Sequence, residues 1–360
     1  MSLRFRKVLI ADERYESAGV LDVDGDGVPD IVSGGFWYPG PDFRRRNPVG
    51  EVAMFGEYYD DFSTIPIDVN GDGRVDFVTG GWFGKTLQWR ENPGDPTAEW
   101  PLHVIAETEN IETTRGWDMD GDGRIEIVPN TPGGPLRVYK LRHHDDGRAA
   151  ARFDVHTIWE ENQGHGLGCG DIAGNGRMDV ALCHGWLEAP EDPYLGKWTY
   201  HPDFELLKGA GVPIIVADLT GNGLGDLIVG GGHSYGLDWL EHVVEDGTHR
   251  FIIHHIDPYN SQYHDLHWID IDGDGEMELV TGARYRAHNG HDPGAGDHVG
   301  IYYFKWVDGG FCKQVIDFGP PRSGTGVGIH FDCADLTGNG LPDIVAPGKD
   351  GLYVFFNEGS

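Results

Sequence analysis

The stretch Asp22-Val-Asp-Gly-Asp-Gly-Val-Pro-Asp30-Ile-Val32 decides the fold, because it returns six more times along the chain. Its counterparts are DVNGDGRVDFV (68–78), DMDGDGRIEIV (118–128), DIAGNGRMDVA (171–181), DLTGNGLGDLIV (218–229), DIDGDGEMELV (270–280) and DLTGNGLPDIV (335–345). Successive first aspartates are 46, 50, 53, 47, 52 and 65 residues apart, so seven such units fill all 360 residues. Residues 1–360 therefore read as one domain. Around each motif the sequence alternates between short apolar runs and turns. One run precedes the motif (18–21, 214–217) and a second follows it (30–33, 226–229). A third carries Trp in several units (87–89, 237–240), and a fourth leads to the next motif (102–105, 155–159, 251–256). Four short strands per repeat of this length make a propeller blade. The chain opens on a run of fourth-strand type (5–10) and closes on one of third-strand type (352–356). Pairing the two removes an exposed edge. The expected fold is all-β: a seven-bladed β-propeller closed by its N-terminal strand.

Composition excludes several functions. With 27 basic against 59 acidic side chains the net charge is −32, which opposes nucleic acid and anionic membrane surfaces as partners. An 11% aromatic content is unlike a disordered acidic tail, and no apolar run approaches a membrane span. The N-terminal segment lacks the apolar core of a secretory signal, so the sequence as it stands reads as cytoplasmic; a chain trimmed of a leader would be extracytoplasmic. Four cysteines (Cys169, Cys183, Cys312, Cys333) are too few for a disulfide framework. Nothing in the sequence specifies an oligomeric state.

The repeated motif places side-chain oxygens at alternate positions of a glycine-bent loop and brings a last carboxylate back to the same point. Hard cations require cages of six to eight oxygens of this kind. Full sets occur at Asp22/Asp24/Asp26/Asp30, Asp68/Asn70/Asp72/Asp76, Asp118/Asp120/Asp122/Glu126 and Asp270/Asp272/Asp274/Glu278. The fifth and seventh units carry Thr220 and Thr337 at the third position, and the fourth carries Ala173 there, so the loop at Asp171 is expected to fill last. These units resemble the FG-GAP/VCBS repeats of calcium-binding propellers, and the resemblance implies structural Ca2+.

A second set of residues gathers at the opposite end. Six positions before each first aspartate stand Glu16, Phe62, Glu112, His165, Val212, His264 and Ile329; His330 stands five before Asp335. Five to seven positions after the last acid stand His184 and Trp186, His233, and Arg284 and Tyr285. At ~3.3 Å per residue these lie roughly 15–20 Å from the acidic loops, at the other mouth of the propeller. The corresponding positions of the first two units hold Phe36, Trp37, Trp82 and Phe83. The longest spacing contains Arg284, Tyr285, Arg286, His288 and His291 in a segment expected to fold over this mouth, and residues 187–211 are a candidate second wall.

Several imidazoles with a carboxylate can hold Zn2+ or another divalent transition metal with a position open. Such an ion polarises a carbonyl while a nearby base removes the adjacent proton. His165, His184, His233 and His264 are the expected ligands, three of them sufficing. His288, Tyr285 and His330 are candidates for proton transfer, Arg284 and Arg286 for holding substrate oxygens, and Trp82, Trp186 and Trp37 for stacking on a sugar ring. Paired carboxylates for ordinary glycoside hydrolysis are not evident outside the loops. The segments GHGLGCGDIAGNGRMD (164–179), RYRAHNGHDPGAGDHVGIYYF (284–304) and GTGVGIHFDCADLTGNGLPDIVAPGKDGLYVF (324–355) look like the propeller domain of aldos-2-ulose dehydratases. That resemblance implies a metal-dependent carbon–oxygen lyase acting on a small keto-sugar or oxidised glycoside. Two alternatives stand beside it. A polysaccharide lyase would act by β-elimination, but the net charge opposes a uronate polymer unless Arg284, Arg286 and Arg322 dominate locally. A calcium-stiffened propeller that only binds carbohydrate or protein would have its mouth histidines dispersed.

Overall fold

A computed structural model describes residues 3–206 and 209–360. The first two residues of the expected 1–360 domain, and two within the 187–211 extension, lie outside the described residues. Seven four-stranded antiparallel sheets follow one another along the chain, with a two-stranded hairpin, Met54–Phe55 and Tyr58–Tyr59, between the first two. Blade one is typical: Gly19–Leu21, Asp30–Ser33, Phe36–Tyr38 and Asn47–Pro48. Blade seven is assembled from both ends of the chain. Its strands Asp332–Ala334, Asp343–Ala346 and Leu352–Asn357 are completed by Phe5–Ala11, with Phe5 opposite Asn357 and Val8 opposite Val354. Ser17 and His330 form a parallel bridge between the innermost segments of blades one and seven, which closes the ring. Among the described residues no helix is long and apolar enough to cross a membrane.

The motif builds each blade through its own hydrogen bonds. Asp22 Oδ1 accepts the backbone N–H groups of Gly25 and Asp26, and Oδ2 accepts that of Gly27. Gly25 and Gly27 stand at φ 75° and 84°, a left-handed backbone that a side chain disfavours. Asp30 is buried and ties three segments together: its carboxylate accepts from Val23 N and Gly40 N, both at 2.8 Å. Asp76, Asp179, Asp226 and Asp343 repeat this double bond in their own blades. The last acid of each motif is thus a backbone staple as well as a candidate cation ligand.

Large side chains fill the spaces between blades. Trp37 packs with Phe77 and Trp100, and Trp186 with Ile214 and Leu227; both tryptophans are fully buried. Neither is available to a sugar, contrary to expectation. Strand side chains alternate between faces, and these two point into the inter-blade core. Of the described part of the 187–211 extension, only the end at Gly209 and Ala210 reaches the mouth, against His233 and His165. Trp198 joins the core of blades three and four, and Tyr194 stacks on His156 beside the third acidic loop. In the central channel, Arg115 of Thr113–Trp117 reaches the carboxylate of Asp265 in Tyr263–Ile269 at 2.6 Å and the carbonyl of Val212. This buried ion pair crosses from blade three to blade six. All four cysteines are free.

Candidate functional site

The acidic loops differ in what already neutralises them. In the third loop the Lys140 ammonium lies 2.7, 2.8 and 2.8 Å from Asp120, Asp122 and Glu126. In the sixth, Lys305 binds Asp272 and stands 2.9 Å from Asp274 and 3.4 Å from Glu278. Each lysine sits on the third strand, and its ammonium takes up the negative charge that a cation would otherwise balance. The second loop differs from the others in carrying Asn70. Its amide oxygen accepts the Asp72 N–H at 3.0 Å, closing a local Asx turn. Its amide nitrogen donates to the carboxylates of Asp72 and Glu91, each at 3.2 Å. Asn70 thus turns its amide donors toward these carboxylates, while its oxygen accepts from the backbone as Asp24 does in the first loop. Arg74 also pairs with Asp72. The first loop has no cationic partner among the described residues, and oxygens of Asp22, Asp24 and Asp30 lie within 4.8 Å of one another. Burial lifts Asp30 and Asp76 to about 6, so their charged forms cost more than in water and a nearby cation would relieve that cost. We therefore expect calcium to enter the loop at Asp22 first, and Lys140→Met and Lys305→Met to strengthen binding at the third and sixth loops. Titration calorimetry of the single variants, alongside melting with and without chelator, checks this. Unchanged calcium affinity in both variants would show that the lysines do not compete with the ion.

At the opposite mouth, four side chains from four different blades or turns meet. Glu112 and His165 precede the inner strands of blades three and four, and His264 lies on that of blade six. His233 comes from the turn at 231–236 that follows Asp226–Gly230 in blade five. Their ligating atoms lie within 4.8 Å of one another. His264 Nε2 is 2.8 Å from Glu112 Oε1, His165 Nε2 is 3.3 Å from it, and His233 Nε2 is 3.9 Å away. His165 Nε2 and His233 Nε2 stand 2.8 Å apart.

The outer nitrogens determine what lies between these atoms. His165 Nδ1 donates to the Ala210 carbonyl at 2.8 Å, and His233 Nδ1 donates to Asp292 Oδ2 at 2.8 Å. With each Nδ1 holding a proton, neutral rings present two lone pairs to each other, which only a proton or a cation between them relieves. Ligands on ~2.0–2.1 Å bonds around a tetrahedral ion sit about 3.3 Å apart, within the observed spread. The donor set, three imidazoles and one carboxylate, suits Zn2+ or a similar divalent transition metal. Buried His264 Nδ1 has no partner, so two of the three imidazoles carry the outer hydrogen bond typical of metal ligands. Burial pushes His233 down to about 3 and His264 to about 4, so both are neutral and ready to ligate. Burial also opposes charge on His165, but Glu112 outweighs it and holds this ring above its ordinary value.

A cavity of about 260 Å³ opens beside the cluster. Tyr58, Phe62, Trp82 and Phe83 form its aromatic wall, and Glu112, Arg284 and His288 its polar side. His288 stacks on His233 with centroids 4.4 Å apart, and its Nδ1 donates to Asp292 Oδ1 at 2.8 Å, leaving Nε2 with a lone pair. Asp292 thus orients two histidines at once, one with each oxygen. Burial raises the Tyr58 hydroxyl, which remains a protonated donor without a partner.

The structure joins His165, His233 and His264, but not His184. Blade four turns tightly, with Leu182 opposite Gly185, and His184 in that turn is held by Tyr200 and the Asn162 carbonyl. Glu112 takes the fourth place. Among the expected reacting groups, His288 and Arg284 line the cavity, with Arg284 bound to Glu16 at 2.8 Å. His330 does not: it is buried in the ring closure, where its Nδ1 bonds the Ala18 carbonyl. Tyr285 and Arg286 line a separate pocket, and Arg286 pairs with Glu57. Of the three tryptophans, only Trp82 reaches the cavity. Residue reading overlooked Tyr58 and Asp292; Glu112 stood at the same repeat position as His165 and His264.

Residues 218–281 match the family model described as FG-GAP-like repeat. No curated protein matches the sequence. Among solved structures, BBS1N in complex with ARL6DN aligns with a TM-score of 0.57 at 10% identity, covering 98% of this chain and 96% of that one. The exotype rhamnogalacturonan lyase YesX aligns at 0.54 and 12% identity, covering 96% of this chain and 72% of that one. Likeness at this level establishes the fold. The chain is a seven-bladed β-propeller in which one segment, 218–281, matches an FG-GAP-like repeat, and its architecture is similar to that of a rhamnogalacturonan lyase.

Proposed function

We propose that the mouth is the active site of a metal-dependent carbon–oxygen lyase acting on a keto-sugar or oxidised glycoside. The observation that carries this is the convergence of Glu112, His165, His233 and His264 beside a cavity of single-sugar size. A divalent transition metal held by these four residues would supply Lewis acidity toward a carbonyl oxygen. The chain's own groups complete the chemistry. Trp82 and Phe83 receive the ring face, and Arg284 offers guanidinium donors at the cavity wall. His288, oriented by Asp292, removes the proton next to the carbonyl through its free Nε2. The imidazolium so formed returns the proton to the departing oxygen, since the Tyr58 hydroxyl is buried and only its ring lines the cavity.

The test is to strip the protein with a chelator, reload it with Zn2+ and follow the unsaturated product by ultraviolet absorbance across a panel of keto-sugars. Activity confined to the reloaded protein is expected; equal turnover without metal would sink the mechanism. Metal loading should also depend on pH. The proton on His165, faced by Glu112, His233, His264 and Arg284, competes with the ion. Zn2+ affinity is therefore expected to fall about tenfold per pH unit below the pKa of His165, which lies above 6.5, and to level off above it. A profile flat between pH 5 and 8 (ordinary histidine range, about 6.5) would show that this proton is not displaced.

A further inference from the structure

A second pocket, of about 270 Å³, adjoins the aromatic cavity and is lined by Arg14, Glu57, Tyr285, Arg286, Arg322, Lys349 and Asp350. Lys349 forms part of its wall and lies 3.9 Å from the ring centroid of Tyr58, which faces the aromatic cavity. The two spaces are thus separated by little more than one ring. Four cations meet two carboxylates here, in a chain whose net charge is −32. Arg286 is neutralised by Glu57. Arg284 and Lys349 share the single carboxylate of Glu16, at 2.8 and 3.5 Å. Arg14 and Arg322 have no ion-pair partner among the described residues, and both side chains are exposed to the pocket. Arg286 and Arg322 are also held at φ 54° and 75°, a left-handed backbone unfavourable for any residue with a Cβ. Strain of this kind concentrates where a side chain must be aimed.

We propose that this pocket is an anion subsite that receives an acidic group of the substrate, a sugar carboxylate or a sugar phosphate, while the reacting carbon lies beside Glu112 and His288. This rests on the lyase reading of the mouth and narrows its substrate to acidic sugars. Arginines suit the task because their planar donors match carboxylate and phosphate oxygens. The overall negative charge repels free polyanions at long range, so recognition is confined to a group small enough to enter.

The test is calorimetric titration of the full chain with D-galacturonate, D-galactose and inorganic phosphate at low and high salt. Galacturonate is expected to bind at least about tenfold more tightly than galactose, since charge-assisted hydrogen bonds are worth that much, and salt should weaken it. The Arg14→Ala/Arg322→Ala double variant changes exposed groups and should fold normally, with melting as the control; it should abolish the preference. Phosphate bound more tightly than galacturonate, with the same arginine dependence, would assign a phosphorylated sugar. Equal affinity for galacturonate and galactose without phosphate binding, or a preference that survives the double variant, overturns the subsite. Repeating the titration on metal-stripped protein separates the two ideas: the preference persists if the subsite is real, even should the metal mechanism fail.

Discussion

His165→Ala is expected to lose the transition metal and all turnover while keeping the calcium-dependent part of its melting temperature. Removing an outer-shell partner of a metal ligand typically lowers affinity by roughly 10–100-fold, and His165 is itself one of the four proposed inner ligands. Its imidazole also holds one side of the 2.8 Å contact with His233, so its loss leaves that ring without a counterpart. The acidic loops lie at the far ends of the inner strands and share no residue with the cluster. Elemental analysis, activity and melting in chelator give three separate readouts. His184→Ala, which alters a hairpin turn away from the cluster, should retain metal and serves as the contrast. Full metal content in His165→Ala would remove the cluster from the mechanism.

The largest stability change is expected at Arg115. Asp265 is fully buried and depends on Arg115 at 2.6 Å, with the Phe331 N–H bonding its other oxygen at 2.9 Å. Breaking a buried pair by removing one partner typically costs 3–5 kcal/mol, roughly, because the other charge is left uncompensated. Arg115→Met should therefore lower unfolding free energy by about that much, and adding Asp265→Asn should recover most of it. The loss should also shrink on acidification. Burial raises Asp265 to about 7 even beside Arg115, and burial reinforced by Arg115 pushes nearby His267 down to about 3. A carboxyl whose folded pKa is raised opposes folding above that pKa and ceases to do so as pH falls toward its unfolded value near 4. Without Arg115 this window widens, and His267 gains a proton more easily. Denaturant melts at pH 8 and pH 5, read against these ordinary ranges, check the sign. An equal loss at both would show that Asp265 stays charged throughout.

The periodic part of the molecule was legible from its residues, and the aperiodic part was not. Seven acidic motifs set the blades, and counting back six positions placed Glu112, His165 and His264 on one level, because each inner strand runs into its motif in the same direction and at the same offset. Counting forward was less reliable. The turn after the second strand has two residues in blade four and six in blade five, so His184 and His233 occupy similar positions in sequence and different places in space. Alternation added a second source of error: Trp37 and Trp186 lie on strands beside the mouth, yet their faces pack between blades. Tyr58 and Asp292 sit in insertions that occur once, the hairpin at 54–59 and the covering segment after Arg284, where no repeat fixes position. The lysines within the third and sixth loops come from the third strand, opposite Glu126 and Glu278, and only strand register brings them there. The same holds for Asn70, whose amide is drawn toward Glu91, a residue just past the third strand of its blade.

Ring closure also has a mechanical meaning. Phe5–Ala11 and Leu352–Asn357 run antiparallel, and Arg4 exchanges backbone bonds with Glu358 and Gly359. The two extremities of the described chain therefore leave the ring side by side. A pull applied to them loads one pair of hydrogen bonds at a time, beginning at Arg4 and moving inward past Phe5 and Asn357, rather than shearing the whole ladder together. The ring should peel open from this seam under modest tension and release its blades in order from both ends, however well it withstands heat.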